Sequence, residues 1–141
     1  MSVQQPRGLT IAIQTGDRAE SLDFYTKVLG REPDYSPHDD FHEWEVSPRA
    51  WLQISTDHDR PLPLRSRLRF DVPDLDAAIA HLTDLGVVIS EPLTLPGVVS
   101  FANFEDPWGN SLGIYQELVP ASQARRPGGS AKDAANFTRQ R

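Results

Sequence analysis

Hydrophobic and polar residues follow two periods along this chain, and the same succession of periods occurs twice. Leu9, Ile11 and Ile13 alternate with Thr10, Ala12 and Gln14, which predicts a strand with one face against a core. Asp17 then opens a helical stretch in which Leu22, Tyr25, Val28 and Leu29 share a face, and Gly30 is placed to close it in the left-handed conformation. Asp17 and Glu20 form a capping box, in which the side chain of each satisfies a backbone N–H near the other. The second half repeats this. Leu68, Phe70 and Val72 alternate with Arg67, Arg69 and Asp71; Asp74 opens a helix with Leu75, Ala78, Ile79, Leu82 and Leu85 on one face, and Gly86 follows. The capping aspartates lie 57 residues apart and the closing glycines 56. Three strand candidates follow each helix: 31–35, 41–46 and 51–55 in the first half, and 87–90, 98–105 and 112–117 in the second.

The pattern predicts an α+β fold of two tandem β-α-β-β-β modules, about 8–56 and 66–118, within a single domain 1–118. Residues 119–141 break it. They are rich in Ala, Ser, Gln, Arg and Gly and hold one aromatic, Phe137, so a disordered basic tail is expected. That tail carries five basic residues against one acid, leaving 19 acids against 9 bases in the body. A body so acidic repels a phosphate backbone, so nucleic acid is not an expected partner. No apolar run approaches the roughly 18 residues that a membrane span needs. The first residues have no apolar signal segment and the chain has no cysteine, which together point to a cytoplasmic protein without disulfides or thiolate chemistry.

Three segments carry a family likeness: residues 17–30 (DRAESLDFYTKVLG), 70–86 (FDVPDLDAAIAHLTDLG) and 104–115 (FEDPWGNSLGIY). In this order and spacing they resemble the vicinal oxygen chelate superfamily, which includes glyoxalase I, extradiol dioxygenases and bleomycin-resistance proteins. The likeness covers roughly residues 8–118. It implies that the curled mixed sheet forms a cup with the helices on its outer face, and that the protein is a homodimer. The Asp106–Asn110 turn also has a local account. Pro107 fixes φ and Gly109 tolerates a positive φ, so a tight hairpin connection is expected whether or not it touches a ligand.

In metal-dependent members of that superfamily the ion sits in the cup. The resemblance places its ligands on the first strand of each module, on a middle strand and on the last strand. Here those positions read Thr10, Arg67, Gln53 and Gly113. A divalent ion wants several anionic or imidazole ligands, and a guanidinium repels it. No metal and no cofactor is therefore expected at this place. The weak alternative is His38 with His42, which in an extended strand lie about 13 Å apart and share an ion only if the segment loops. His58 falls in a polar loop and His81 on the solvent side of its helix; neither has an evident catalytic partner.

Alternation points Thr10, Ala12, Gln14, Trp51, Gln53, Ser55, Arg67, Arg69, Gly113 and Tyr115 into the cup, with Trp108 at the rim and Trp44 on the wall. Gly113 is expected to leave an open space. Aromatic faces with a few polar groups suit a small molecule. The arginines offer a partner for a carboxylate, phosphate or phenolate, or an ion pair with a local acid such as Asp71. The leading expectation is a metal-independent protein that binds an aromatic or amphipathic ligand, which an anionic group would suit. The alternative is a lyase, isomerase or ring-cleaving oxygenase with a relocated metal or a metal-free site, drawing on His38, His42 and Glu43. A third is a regulatory module whose tail recruits a partner.

Overall fold

The structure, a computed structural model, describes residues 4–118; the basic tail expected over 119–141 lies outside the described residues. Its strands are β1 (Leu9–Gln14), β2 (Tyr35–His38), β3 (Phe41–Ser47), β4 (Ala50–Ser55), β5 (Leu68–Asp71), β6 (Leu93–Leu95), β7 (Val99–Glu105) and β8 (Ser111–Glu117). Helix α1 (Arg18–Leu29) follows β1, and α2 (Leu75–Asp84) follows β5. The fold is α+β, with two four-stranded sheets among the described residues, ordered β1-β4-β3-β2 and β5-β8-β7-β6. In each, the first strand runs parallel to the last and the remaining pairs are antiparallel. The described residues divide into two compact units: one carries residues 4–64 together with Trp108–Asn110, the other Arg65–Pro107 and residues 111–118. Among the described residues no helix is long and apolar enough to cross a membrane.

In the first unit, the Asp17 side chain accepts from the Glu20 N–H at 3.0 Å and starts α1. Gly30 ends it at φ 79°, a conformation that costs glycine no Cβ clash. The helix buries Tyr25, which with Ile13, Trp44, Leu52 and Ile54 makes the core. It also buries Ser21, whose Oγ donates to the Asp17 carbonyl at 2.7 Å. Leu9 stays exposed, so the core-facing row of β1 starts at Ile11. The strand expected over 31–35 lies later, at Tyr35–His38. Pro33 has no N–H to give to a ladder, which disfavours a strand running through it. A turn held by side chains fills that stretch: Arg31 pairs with Asp34, and Asp34 accepts from the Glu45 N–H at 2.7 Å.

In the second unit, Asp74 accepts from the Ala77 N–H at 3.1 Å to start α2. The helix ends in a Schellman motif, with Gly86 at φ 83° donating to the Thr83 carbonyl and Val87 donating to that of Leu82. That use of Val87 explains why 87–90 forms no strand, contrary to expectation. The segment leaves the helix as its cap, and pairing resumes past Pro92, at Leu93–Leu95. Leu75 and Leu82 pack inward with Ala102, Phe104, Leu112 and Ile114 as the core. Leu85, expected on the same face, is the C-cap and is exposed.

Candidate functional site

Each sheet has a face turned away from its helix. In the first unit the Tyr25 and Trp44 rings, 6.2 Å apart, place Trp44 on the α1 side, and register puts Leu52 and Ile11 beside it. The opposite parity makes the open face. Thr10 faces Trp51, Ala12 faces Gln53 and Gln14 faces Ser55, with Glu45, Glu43 and Phe41 next to those three on β3. The six residues expected from β1 and β4 therefore share one face. Gln53 Nε2 donates to Glu43 Oε1 at 2.9 Å, and Gln14 Oε1 accepts from the Leu62 N–H at 2.9 Å. Glu43 on this face is a gain over the expected set, and alternation along β3 is the signal that identifies it.

His58 is not without a partner: its Nε2 is hydrogen-bonded to Ser55 Oγ at 2.7 Å. The preceding Asp57 takes φ 64° and receives Arg18 through both its backbone N–H and its guanidinium. That hydrogen bond, ahead of the charge attraction, holds the Asp57 carboxyl below the usual carboxylate range and raises the Arg18 value. The pair is exposed, so it orders the loop more than it stabilises the fold.

Several expected positions are filled differently. Trp44 is not on the wall; it is fully buried and its Nε1 donates to the Arg31 carbonyl at 2.9 Å. Parity alone does not say which face of β3 meets the helix, and both faces carry an aromatic. His42 lies on the same core side, with Nδ1 bonded to Ser36 Oγ at 2.8 Å and Nε2 to the Asp39 carbonyl at 2.9 Å. Both ring nitrogens are thus used inside the hairpin, while His38 is exposed on its edge strand. Trp108 packs on the start of α1: a Cβ on Gly16 would sit 2.7 Å from its Nε1, and its ring meets Phe24 edge-on at 6.5 Å. Asn110 is wholly buried, accepting from the Leu64 N–H at 2.6 Å and donating to the Gln14 carbonyl at 3.0 Å. These contacts make the Trp108–Asn110 turn a structural clasp of the first unit.

In the second unit, Gln116 Oε1 accepts from the Leu75 N–H at 2.9 Å, which places the even-numbered residues of β8 on the α2 side. Gly113 and Tyr115 therefore face the other way. Arg69 and Asn103 flank Gly113 in register, and Phe101 and Asp71 flank Tyr115. The Arg69 guanidinium carbon lies 4.8 Å from the Phe101 ring centroid. Arg67 Nη1 donates to the Phe104 and Leu112 carbonyls at 3.1 and 2.8 Å. The open space expected at Gly113 is absent. A Cβ there would meet Arg69 Cγ at 3.0 Å, Asn103 Oδ1 at 3.1 Å and the Ala102 carbonyl at 2.9 Å, because the Arg69 stem lies across the bare glycine.

The residues at the four positions where the superfamily's metal-dependent members hold an ion do not fit one. Thr10 is a neutral hydroxyl, Gln53 spends an amide N–H on Glu43, Arg67 is a cation and Gly113 has no side chain. Among the described residues no group of three or more His, Cys, Asp or Glu side chains is placed to hold a metal.

Comparison with known proteins agrees with this architecture. The family model described as Glyoxalase/Bleomycin resistance protein/Dioxygenase superfamily matches residues 9–114. A glyoxalase/bleomycin resistance protein from Catenulispora acidiphila is similar at 24% identity and TM-score 0.67, over 82% of this chain and 100% of that one. An antibiotic binding protein from a Streptomyces species is similar at 22% identity and TM-score 0.65, over 82% and 99%. A lactoylglutathione lyase from Agrobacterium tumefaciens is similar at 18% identity and TM-score 0.63, over 80% and 96%. At these identities the likeness is one of fold. Among curated protein sequences no significant match is found.

Proposed function

Because this chain belongs to the Glyoxalase/Bleomycin resistance protein/Dioxygenase superfamily, whose fold hosts both binders and enzymes, we propose that it binds a small molecule without a metal. One observation carries the reading. At the positions where an ion would be ligated stand an alcohol, an amide, a guanidinium and a glycine covered by Arg69, and no other donor cluster among the described residues replaces them. The sheet faces turned away from the helices offer instead what recognises an aromatic or amphipathic anion. Arg69 stands over Phe101 in one unit, and Trp51 with Gln53 and Thr10 lies on the face of the other. A solved structure of the same fold is that of an antibiotic binding protein, which supports a small-molecule ligand. A homodimer and a cytoplasmic setting belong to the same proposal.

The test is a melting-temperature screen of the full chain against aromatic carboxylates, in matched pairs with and without a ring hydroxyl. Hits are then titrated by calorimetry with and without EDTA. Saturable binding that EDTA leaves unchanged is expected. Arg69→Met, which keeps the stem and removes the charge, should weaken an anionic ligand by about tenfold, as loss of a charge-assisted contact does. Trp51→Ala and Arg67→Ala report whether those side chains also touch it. Binding that needs an added divalent ion, or metal-dependent turnover of a hit, would replace this reading with the enzyme.

A further inference from the structure

We propose that Asn103 is a specificity-determining residue of the second unit's sheet face turned away from α2, and that its side-chain oxygen selects ligands carrying a hydroxyl or amino donor on an aromatic acid. This rests on the small-molecule reading above and narrows it to a ligand class.

Asn103 is 1% exposed, yet its Oδ1 accepts no hydrogen bond among the described residues. Buried amide oxygens are nearly always paired, so an orphan is unusual and costs free energy. The residue is also firmly held. Its N–H donates to Ser90 Oγ and its carbonyl accepts from the Ser90 N–H, both at 2.9 Å. The side chain thus projects from a backbone held at both its N–H and its carbonyl by Ser90.

Where Oδ1 points is set by its neighbour across the ladder. It lies 3.1 Å from the point that a Cβ on Gly113 would occupy, so it looks over the bare stretch of β8. The atom close to that same point on the far side is Arg69 Cγ, at 3.0 Å, a methylene that donates nothing. That point is filled, so a group reaches the oxygen by displacing the flexible Arg69 stem, and it satisfies the oxygen only by bringing its own O–H or N–H; a carboxylate or ether oxygen would set lone pair against lone pair. Beyond the stem, the Arg69 guanidinium lies over the Phe101 ring and adds a positive charge beside an aromatic surface. The complementary ligand is planar and aromatic, with an anionic group for Arg69 and a donor for Asn103. A site with an orphan acceptor discriminates strongly against the analogue that lacks the donor, because that analogue leaves the acceptor buried and unpaired.

The experiment measures benzoate against 3- and 4-hydroxybenzoate, and 2-naphthoate against 6-hydroxy-2-naphthoate. Each is titrated into the full chain as wild type, as Asn103→Leu (similar in size, without polar atoms) and as Asn103→Ala, with the melting temperature of each variant recorded. In the wild type at least one hydroxylated acid should bind about tenfold tighter than its parent. In the variants the ratio should fall to within about twofold while the parent's affinity holds, which a merely structural residue would not produce. Asn103→Leu should melt no lower than wild type, since it removes an unpaired acceptor. A hydroxyl preference that survives in either folded variant overturns the assignment. So does equal binding of parent and hydroxylated acids by the wild type, which leaves the small-molecule reading standing. A clear fall in melting temperature with no hydroxyl preference identifies Oδ1 as the acceptor of a structural water and overturns it too. If no acid binds at all, the proposed ligand class fails together with this residue's role.

Discussion

Set the two units side by side by strand register and their helix-facing rows nearly coincide. Ile11–Leu52–Trp44 in the first corresponds to Leu68–Leu112–Phe104 in the second: an aliphatic, a leucine and an aromatic across the same three strands. Their open faces do not coincide. Ala12–Gln53–Glu43 corresponds to Arg69–Gly113–Asn103. In the first row a small edge residue sits beside a long central one that hydrogen-bonds onward to Glu43. In the second the centre is bare and the long edge residue lies across it. Both solutions cover the sheet, one with an amide–carboxylate pair and the other with a guanidinium stem. Burial against a helix constrains volume and polarity together, so the inner rows keep their character. The open rows need only be covered, and their chemistry is free to diverge.

The largest expected effect tests whether the inner rows are equivalent. Trp44→Ala and Phe104→Ala remove the most buried aromatic of each row, at 0% and 1% exposure, and each should cost about 3–5 kcal/mol in denaturant unfolding. A cost under about 1 kcal/mol for one alone would show that its row is not a core. His42→Leu sharpens the same point. It unties Ser36 Oγ and the Asp39 carbonyl, and about 1–3 kcal/mol should be lost, with no change in metal content by elemental analysis.

The outer rows differ most at their centres. Gly113→Ala forces a Cβ to within 2.9 Å of the Ala102 carbonyl, which is backbone and yields little, so about 1–3 kcal/mol of destabilisation is expected. Gln53→Ala, at the matching position, removes one hydrogen bond on a half-buried face and should cost no more than about 1 kcal/mol. The reverse order in urea unfolding would mean that the Arg69 stem does not occupy the glycine's place.

The smallest effect is electrostatic and falls in the first unit. Hydrogen bonds from Arg31 and then from the Glu45 N–H hold the Asp34 carboxyl below its ordinary value, as Arg18 does for Asp57. With folded values depressed, the unfolded chain binds more protons in the window between folded and unfolded pKa. The contribution is therefore complete above the unfolded value of about 4 and disappears as pH falls through the folded one. Melting curves of Asp34→Asn with Asp57→Asn should show a flatter acid limb and little change at pH 7, where such exposed pairs are weak. An unchanged acid limb would place the acid sensitivity elsewhere.

Much of this was legible residue by residue. The aspartate caps, the left-handed glycines at 30 and 86, and the parity of β1, β4, β5 and β8 follow from local chemistry, and the open-face residues Thr10, Gln14, Trp51, Gln53, Arg69 and Tyr115 follow from that parity. Local rules gave way at Pro33, past which β2 lies, and at the end of α2, where Val87 caps the helix and β6 starts only at Leu93. They also gave way wherever a residue's role depended on a neighbour distant in sequence. Trp108 reads as a rim aromatic until its contact with Gly16 and Phe24 is seen.

The sequence by itself determined the repeated β-α-β-β-β order and the family likeness, because periodicity, capping and residue identity act within a few positions of one another. Only the tertiary structure decided that Trp44 and His42 belong to the core, that Arg69 fills the place of the side chain Gly113 lacks, and that Asn103 keeps a buried oxygen without a partner among the described residues. Those outcomes depend on which faces meet and on the reach of long side chains across a ladder, quantities that no spacing along the chain encodes.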